Sequence, residues 1–307
     1  MSRKKITLAL GGGGLKGYAH VGVIATLEEK GFEIAGIAGT SAGALFGAFF
    51  AFGYSYEEIL SFIDDLDNSK LFQRLYSDPP SIIGLKGVNE ILNAKFGIHT
   101  LSQMKIPFAA TAVDMNTNLE IYFDSGKIVD ALRATIAIPG VFPYFKMDSL
   151  TLVDGGIYDP VPVNLARHIA GEYPIIAVCL TPPRELVHTM PHSQLPSITP
   201  IPATVKDYFA GLKLGKALEV FLNSMDLMQI VMADMQLQLT QPDVVLRPNT
   251  QNYYFIDDVD PAKLIDNGKR IVEESQDQIE SAIQNFQRVE SNLSGIFLSD
   301  LHLSLDD

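Results

Sequence analysis

Gly39-Thr40-Ser41-Ala42-Gly43 lies between two apolar runs, and reading those runs decides the fold. Ile34 to Ala38 is short, apolar and flanked by Gly31 and Gly39, as a buried strand should be, whereas Ala44 to Phe52 is long enough for helical turns. Ser41 therefore stands at a strand-to-helix corner, the centre of a Gly-x-Ser-x-Gly pentapeptide. Such a corner holds its serine in a strained turn with the hydroxyl exposed, and glycines two positions either side let strand and helix approach without Cβ clashes. A helix starting here aims unpaired N–H groups and its positive dipole end at the serine oxygen. That suits acyl transfer, but the pentapeptide also arises by chance, so its surroundings must decide.

Upstream, Ile6 to Leu10 reads as a buried strand, Gly11 to Gly14 as a tight loop, and Tyr18 to Lys30 as a helix ended by Gly31. Strand, helix and strand in this order imply parallel strands with a right-handed crossover, so the glycine loop and Ser41 emerge at the same sheet edge. Gly12-Gly13-Gly14-Leu15-Lys16-Gly17 admits three readings. A P-loop requires Gly-Lys-Ser/Thr, and Gly17-Tyr18 follow Lys16 instead. A dinucleotide fingerprint matches formally, yet its acidic residue belongs near the end of the second strand, where this chain carries the serine corner. In the third reading the bare residues Gly12, Gly13 and Gly14 present backbone N–H groups to an oxyanion. Lys16 adds positive charge nearby or is a solvated lysine at a helix start.

The 307 residues are 47% hydrophobic and 19% charged, which gives ample core for one large globular domain or two small ones. A net charge of -13 opposes a sequence-independent grip on nucleic acid and strong attraction to anionic membranes. The lone Cys179 sits in the apolar run Ile175 to Leu180 and reads as core, in keeping with a reducing compartment. Ile6 to Leu10 is too short for a signal peptide's apolar region, and Ala44 to Gly53 too short to span a bilayer. A cytoplasmic protein is expected, at most peripheral to a membrane through rim residues such as Ile82, Ile83 and Leu85 or the proline-rich loop Thr181 to Pro202.

Downstream, Pro107 to Val113 and Leu119 to Phe123 read as a hairpin, with Asp114 and Asp124 as turn formers. Ala131 to Ile138 reads as a short helix closing at Pro139-Gly140. Leu150 to Val153 is a short strand ending in Asp154-Gly155-Gly156, either a catalytic carboxylate at a strand terminus or an ordinary Asp-Gly turn. Val163 to Ala170 reads as a helix and Asp243 to Arg247 as a late strand. Thr204 to Thr240 is mostly helical, with Met225, Met228, Met232 and Met235 on a stripe that suits core packing or an acyl-chain pocket. Pro261 to Val289 reads as a final helix, and the tail Leu293 to Leu305 as an edge strand or dimer contact, giving a domain over 1–292 and a tail over 293–307.

Four blocks in this order resemble the patatin-like phospholipase family: Gly12 to Gly17, Gly39 to Gly43, Ala134-Thr135-Ile136-Ala137-Ile138-Pro139 leading to Phe142-Pro143, and Asp154-Gly155-Gly156. The third block usually carries serine where Thr135 stands. The resemblance implies a three-layer α/β/α sandwich with a mainly parallel sheet, hydrolysing lipid acyl esters without metal or cofactor. It implies Ser41 as nucleophile, Asp154 as base, oxyanion N–H groups from Gly12, Gly13 and Gly14, and motif support from Lys16, Gly17, Gly39, Gly43, Gly155 and Gly156. A Ser-Asp-His triad stays open on chain order, because His168, His188 and His192 follow Asp154. A ligand-binding protein without hydrolysis, for a nucleotide or an acyl group, is the alternative.

Overall fold

The computed structural model describes residues 4–64, 68–189, 213–251, 253 and 259–301. Eight strands form one sheet: β1 (Lys4–Leu10), β2 (Phe32–Gly39), β3 (Phe108–Asp114), β4 (Leu119–Phe123), β5 (Phe145–Met147), β6 (Leu150–Asp154), β7 (Ile175–Val178) and β8 (Val244–Leu246). Their order is β5-β6-β3-β2-β1-β7-β8, with β4 also paired to β3. From β3 through β2, β1 and β7 to β8 every pairing is parallel, whereas β4 and β6 run antiparallel to β3. The predominantly parallel sheet expected from the opening strand-helix-strand is present.

The two-residue period of the strands sorts their side chains into two cores. Ile6, Leu8, Leu10, Ile37, Phe108 and Val178 join the larger cluster, with α1 (Tyr18–Glu29), α2 (Ala42–Phe52), α5 (Lys86–Phe96), α6 (Ile128–Thr135) and the helix Pro261–Glu274. Between α2 and α5 lie α3 (Tyr56–Asp64) and α4 (Asn68–Leu71). The alternate residues Ala9, Ala38, Ala109 and Ala177 form the other face, where their small side chains admit α7 (Val163–Ala170) through Val163, Leu165 and Ala166. Helices thus cover both faces of the sheet. Among them α2 is apolar almost all round, with Phe46, Phe49 and Phe50 buried, as a helix enclosed by core must be.

Several elements depart from the sequence expectation. The aromatic cluster at Phe142 to Phe145 leads into a short strand, β5, since pairing with β6 outweighs the proline before it. Pro261 to Val289 is two helices, Pro261–Glu274 and Gln276–Leu301, parted at Ser275. The second continues through residues 293–301, so that part of the tail is helix rather than edge strand, while 302–307 lie outside the described residues. In the helix Lys213–Thr240 the buried positions among the described side chains are Leu222, Asp226, Ile230, Ala233 and Leu237; of the methionine stripe Met225 packs against the core, whereas Met228 and Met235 are exposed, so the stripe is core only in part. Of the expected loop Thr181 to Pro202, Arg184–Thr189 is a 3-10 turn and 190–202 lie outside the described residues.

Candidate active site

β2 ends at Gly39, and the chain turns through Thr40 and Ser41 into α2. Ser41 has φ 53° and ψ -120°, a backbone conformation that costs a non-glycine residue about 1–3 kcal/mol. Serine is a favoured helix N-cap, yet the Ser41 side chain makes no capping bond to α2. It faces instead the narrow cavity that Asp154 also lines, and it favours the ionised form of that carboxyl group. The corner tolerates no larger residue at its glycines: a Cβ at Gly43 would run into the Leu10 carbonyl, and one at Gly39 into the backbone of Ala44. Thr40, fully buried, ties the turn to its neighbours through Thr111 Oγ1 at 3.0 Å and the Asp159 carbonyl at 2.8 Å.

Asp154 arrives from the opposite direction. Because β6 is antiparallel to β3, its C-terminal residue stands opposite Ala112, only two residues beyond the Ala110 that pairs with Gly39. The sequence suggested a carboxylate at a strand terminus, and the terminus is that of an antiparallel strand reaching the edge where β2 ends. The Gly156 N–H donates to Asp154 Oδ1 at 2.7 Å, and the tight 3-10 turn at Gly155 lies against Thr111. Asp154 is 3% exposed, and this burial pushes its carboxyl up to about 7, against the opposing pull of the Ser41 side chain and the Gly156 N–H.

The glycine loop completes the third side. A Cβ at Gly12 would lie 3.3 Å from Ser41 Cβ, so the loop touches the serine directly. However, the Gly12 N–H donates to the Pro160 carbonyl at 2.9 Å. The expectation that Gly12 offers its amide to an oxyanion is therefore corrected: closing the loop onto 154–160 uses that donor. Gly13 and Gly14 line the cleft with Ser41 and Asp154, and no hydrogen bond from their N–H groups occurs among the described residues. Gly17 brings the loop against Ala42 and Phe46 of α2. Lys16 is 4% exposed, with Cε beside Gly13, so it is a buried cation next to the loop rather than a solvated helix-start lysine.

Sequence reading passed over His20. Fully buried on α1, it holds the Gly11 carbonyl through Nε2 at 2.8 Å, and burial lowers its imidazole to about 4. It is neutral at pH 7, so Nε2 carries the proton and donates. The available signal was its place three residues after Gly17, one helical turn from the loop it supports. Of the three histidines weighed for a triad, His168 is exposed on α7 and lies 3.9 Å from Asp124. His188 falls in the turn Arg184–Thr189, and His192 lies outside the described residues. No histidine among the described residues lines either cavity that meets at Ser41.

Those two cavities differ sharply. One, about 1020 Å³ counted to its open mouth, is lined almost wholly by apolar side chains, including Leu45, Phe46 and Phe49 of α2, Val88 and Leu92 of α5, and Phe142. The other is narrow and polar, bounded by Gly13, Gly14, Ser41 and Asp154 below and by Met225, Asp226 and Gln229 of the helix Lys213–Thr240 above. Of the methionine stripe, Met225 alone reaches the site. No cluster of three His, Cys, Asp or Glu side chains fit to hold a metal occurs among the described residues.

A family model described as patatin-like phospholipase matches residues 8–167, which contain all of these site residues except those of the overlying helix. The chain belongs to the patatin-like phospholipase family. An uncharacterised NTE family protein of Mycobacterium tuberculosis is 39% identical over 165 residues, 53% of this chain and 45% of that protein. The uncharacterised protein YqhO of Bacillus subtilis is 33% identical over 204 residues, 56% of this chain and 69% of that protein. Lysophospholipase NTE1 of Candida albicans is 28% identical over 171 residues, 53% of this chain and 12% of its own length. This patatin-like chain thus spans less than half the length of the mycobacterial relatives it matches. No described helix is long and apolar enough to cross a membrane.

Proposed function

We propose that this protein is a lipid acyl hydrolase that cleaves carboxylic esters through Ser41 and Asp154. The observation carrying the proposal is that Ser41 and the buried Asp154 carboxyl group line one narrow cavity, at the point where an apolar cavity opens beside a glycine loop. The acyl chain enters the apolar cavity, which leaves the ester carbonyl at Ser41. As Oγ attacks the carbonyl carbon, its proton passes to Asp154, and the carbonyl oxygen becomes the oxyanion. The N–H groups of Gly13 and Gly14 receive that charge, helped by the nearby Lys16 cation.

Collapse of the tetrahedral intermediate breaks the bond to the alcohol oxygen, which takes the proton from Asp154 and leaves. The acyl group then remains on Ser41. Water enters from the polar cavity, gives its proton to Asp154 and attacks the acyl carbon; Ser41 recovers the proton as the fatty acid departs. A carboxylate near its ordinary pKa of about 3.9 is a poor base for this work, and burial corrects the mismatch. Phospholipid and lysophospholipid esters are the substrate class, in keeping with the family and with the lysophospholipase named among its relatives.

Membrane contact in this reading is local. Ile83 and Leu85 are buried in the cavity wall, so of the three rim residues expected from sequence only Ile82 is free to meet lipid, beside exposed Leu75 and Tyr76. The test of the function is hydrolysis of lysophospholipid and phospholipid vesicles by the wild type beside Ser41→Ala and Asp154→Asn. Both variants should lose activity by several orders of magnitude while remaining folded. A folded wild type without Ser41-dependent hydrolysis, yet binding lipid or nucleotide, would instead establish the ligand-binding alternative.

A further inference from the structure

The end of α6 and the residues just after it hold both reacting groups at once. Thr135, fully buried in the last turn of α6, accepts the Ser41 N–H on Oγ1 at 2.9 Å, across 94 residues of chain. Two residues on, the Ala137 carbonyl accepts the Asp154 N–H at 2.9 Å. One short segment therefore grips the backbone of the serine through a side chain and that of the aspartate through a carbonyl. The intervening and following residues, Ile136 and Ile138, turn into the apolar cavity.

Resting on the functional reading above, we propose that Thr135 is a positioning residue: its hydroxyl fixes the strained Ser41 backbone so that Oγ meets both the Asp154 carboxyl group and the substrate carbonyl. Three observations carry this. Ser41 has positive φ, and a β-carbon-bearing residue keeps that conformation only where its surroundings enforce it. Its N–H is buried and has Thr135 Oγ1 as partner, so losing the hydroxyl strands a donor at the strained residue. Finally, the clamp that seats Ser41 also seats Asp154, so a two-residue span fixes the separation to which the pairing of β2 and β6 with β3 brings them. Because Thr135 Oγ1 takes the Ser41 N–H, that amide is also withheld from any oxyanion, leaving the charge to the glycine loop. A serine here keeps the acceptor, which a valine of the same shape does not.

The experiment measures kcat and KM for hydrolysis of a long-chain lysophospholipid and of a short p-nitrophenyl ester by wild type, Thr135→Val, Thr135→Ser and Thr135→Ala. Each is also assayed for its second-order labelling rate by a fluorophosphonate and for thermal unfolding. Thr135→Val should lower kcat and the labelling rate by about 100-fold, the loss that a misplacement near 1 Å brings, with KM held within about threefold. Thr135→Ser should retain wild-type values within about threefold. Should Thr135→Val fail to fold, Thr135→Ser against Thr135→Ala decides, since the smaller pair differs by the hydroxyl. Equal kcat in the presence and absence of the hydroxyl, or a loss shared by Thr135→Ser, overturns the proposal. A wild type inert towards both esters and the probe overturns instead the functional reading beneath it.

Discussion

Ser41 and Asp154 line one narrow cavity although β3 lies between their strands in the sheet. β2 ends at Gly39 opposite Ala110, and β6, coming from the other direction, ends opposite Ala112. Parallel and antiparallel pairing on the two sides of one strand thus deliver two chain ends to one place. From this juxtaposition and the burial around it come four predictions.

The pH dependence of kcat/KM should follow Asp154. The base must be ionised, and burial has moved its carboxyl up to about 7. Activity should therefore rise with pH through about 7 and fall away below it, far from the ordinary carboxylate range near 3.9. A pH profile on a soluble ester checks this, and an acid limb near pH 4 would contradict it. Single alanine variants at His168, His188 and His192 should leave that profile in place.

Stability should show the same carboxyl group with the opposite benefit. A folded-state pKa raised from 3.8 means that the folded protein binds the proton more tightly than the unfolded chain. The associated stability is fully present below pH 4 and is lost as pH rises towards 7. Asp154→Asn removes the buried charge, so its Tm should exceed wild type by a few degrees at pH 8 and by little at pH 4. Paired thermal melts at the two pH values measure the difference. Asp159, also buried and pushed up to about 7, adds a wild-type slope of the same sign, raised further by Glu120 nearby.

Filling the apolar cavity should discriminate by chain length. Val88 on α5 lines it and is only partly buried, which gives a larger side chain room to settle. Val88→Phe should lower kcat/KM for long-chain esters by about tenfold or more, in the range that a few methylene contacts supply, and leave acetyl esters nearly unchanged. A p-nitrophenyl ester series from two carbons upward provides the measurement.

Gly13 should be intolerant of a side chain. An added Cβ would meet Leu180 Cδ1 and Cβ at 3.0 and 3.1 Å, and Leu180 is itself fully packed, so the strain of a few tenths of an ångström falls on the loop and on the amides at Gly13 and Gly14. Gly13→Ala should lower kcat by about 100-fold, the scale of losing one oxyanion donor, with a smaller change in KM. Kinetics on the short ester, where binding contributes little, isolate the effect.

The strands and corner were legible because their signals are local: apolar runs of strand length bounded by glycines, and the period of α1 and α2. Asp114 was correctly read as a turn former, and the Asn116 and Thr117 N–H groups donate to its carboxylate at 3.2 Å. What escaped depends on partners distant in sequence. The bond from Gly12 to Pro160, the bond from Ser41 to Thr135 and the direction of β6 are each settled by tertiary pairing. His20 escaped because its partner is a backbone carbonyl, that of Gly11, which no residue type marks in the sequence. The methionine stripe was legible only in part, since its spacing fixes a helix face but not which neighbour each residue of that face meets.

The most direct test of the whole account is intact-mass analysis of the protein after reaction with a long-chain fluorophosphonate at pH 8. The account predicts one adduct per chain, carried by the peptide containing Ser41, absent in Ser41→Ala and formed at least about 100-fold more slowly in Asp154→Asn. Labelling of Asp154→Asn at the wild-type rate, or an adduct on any other residue, would contradict it.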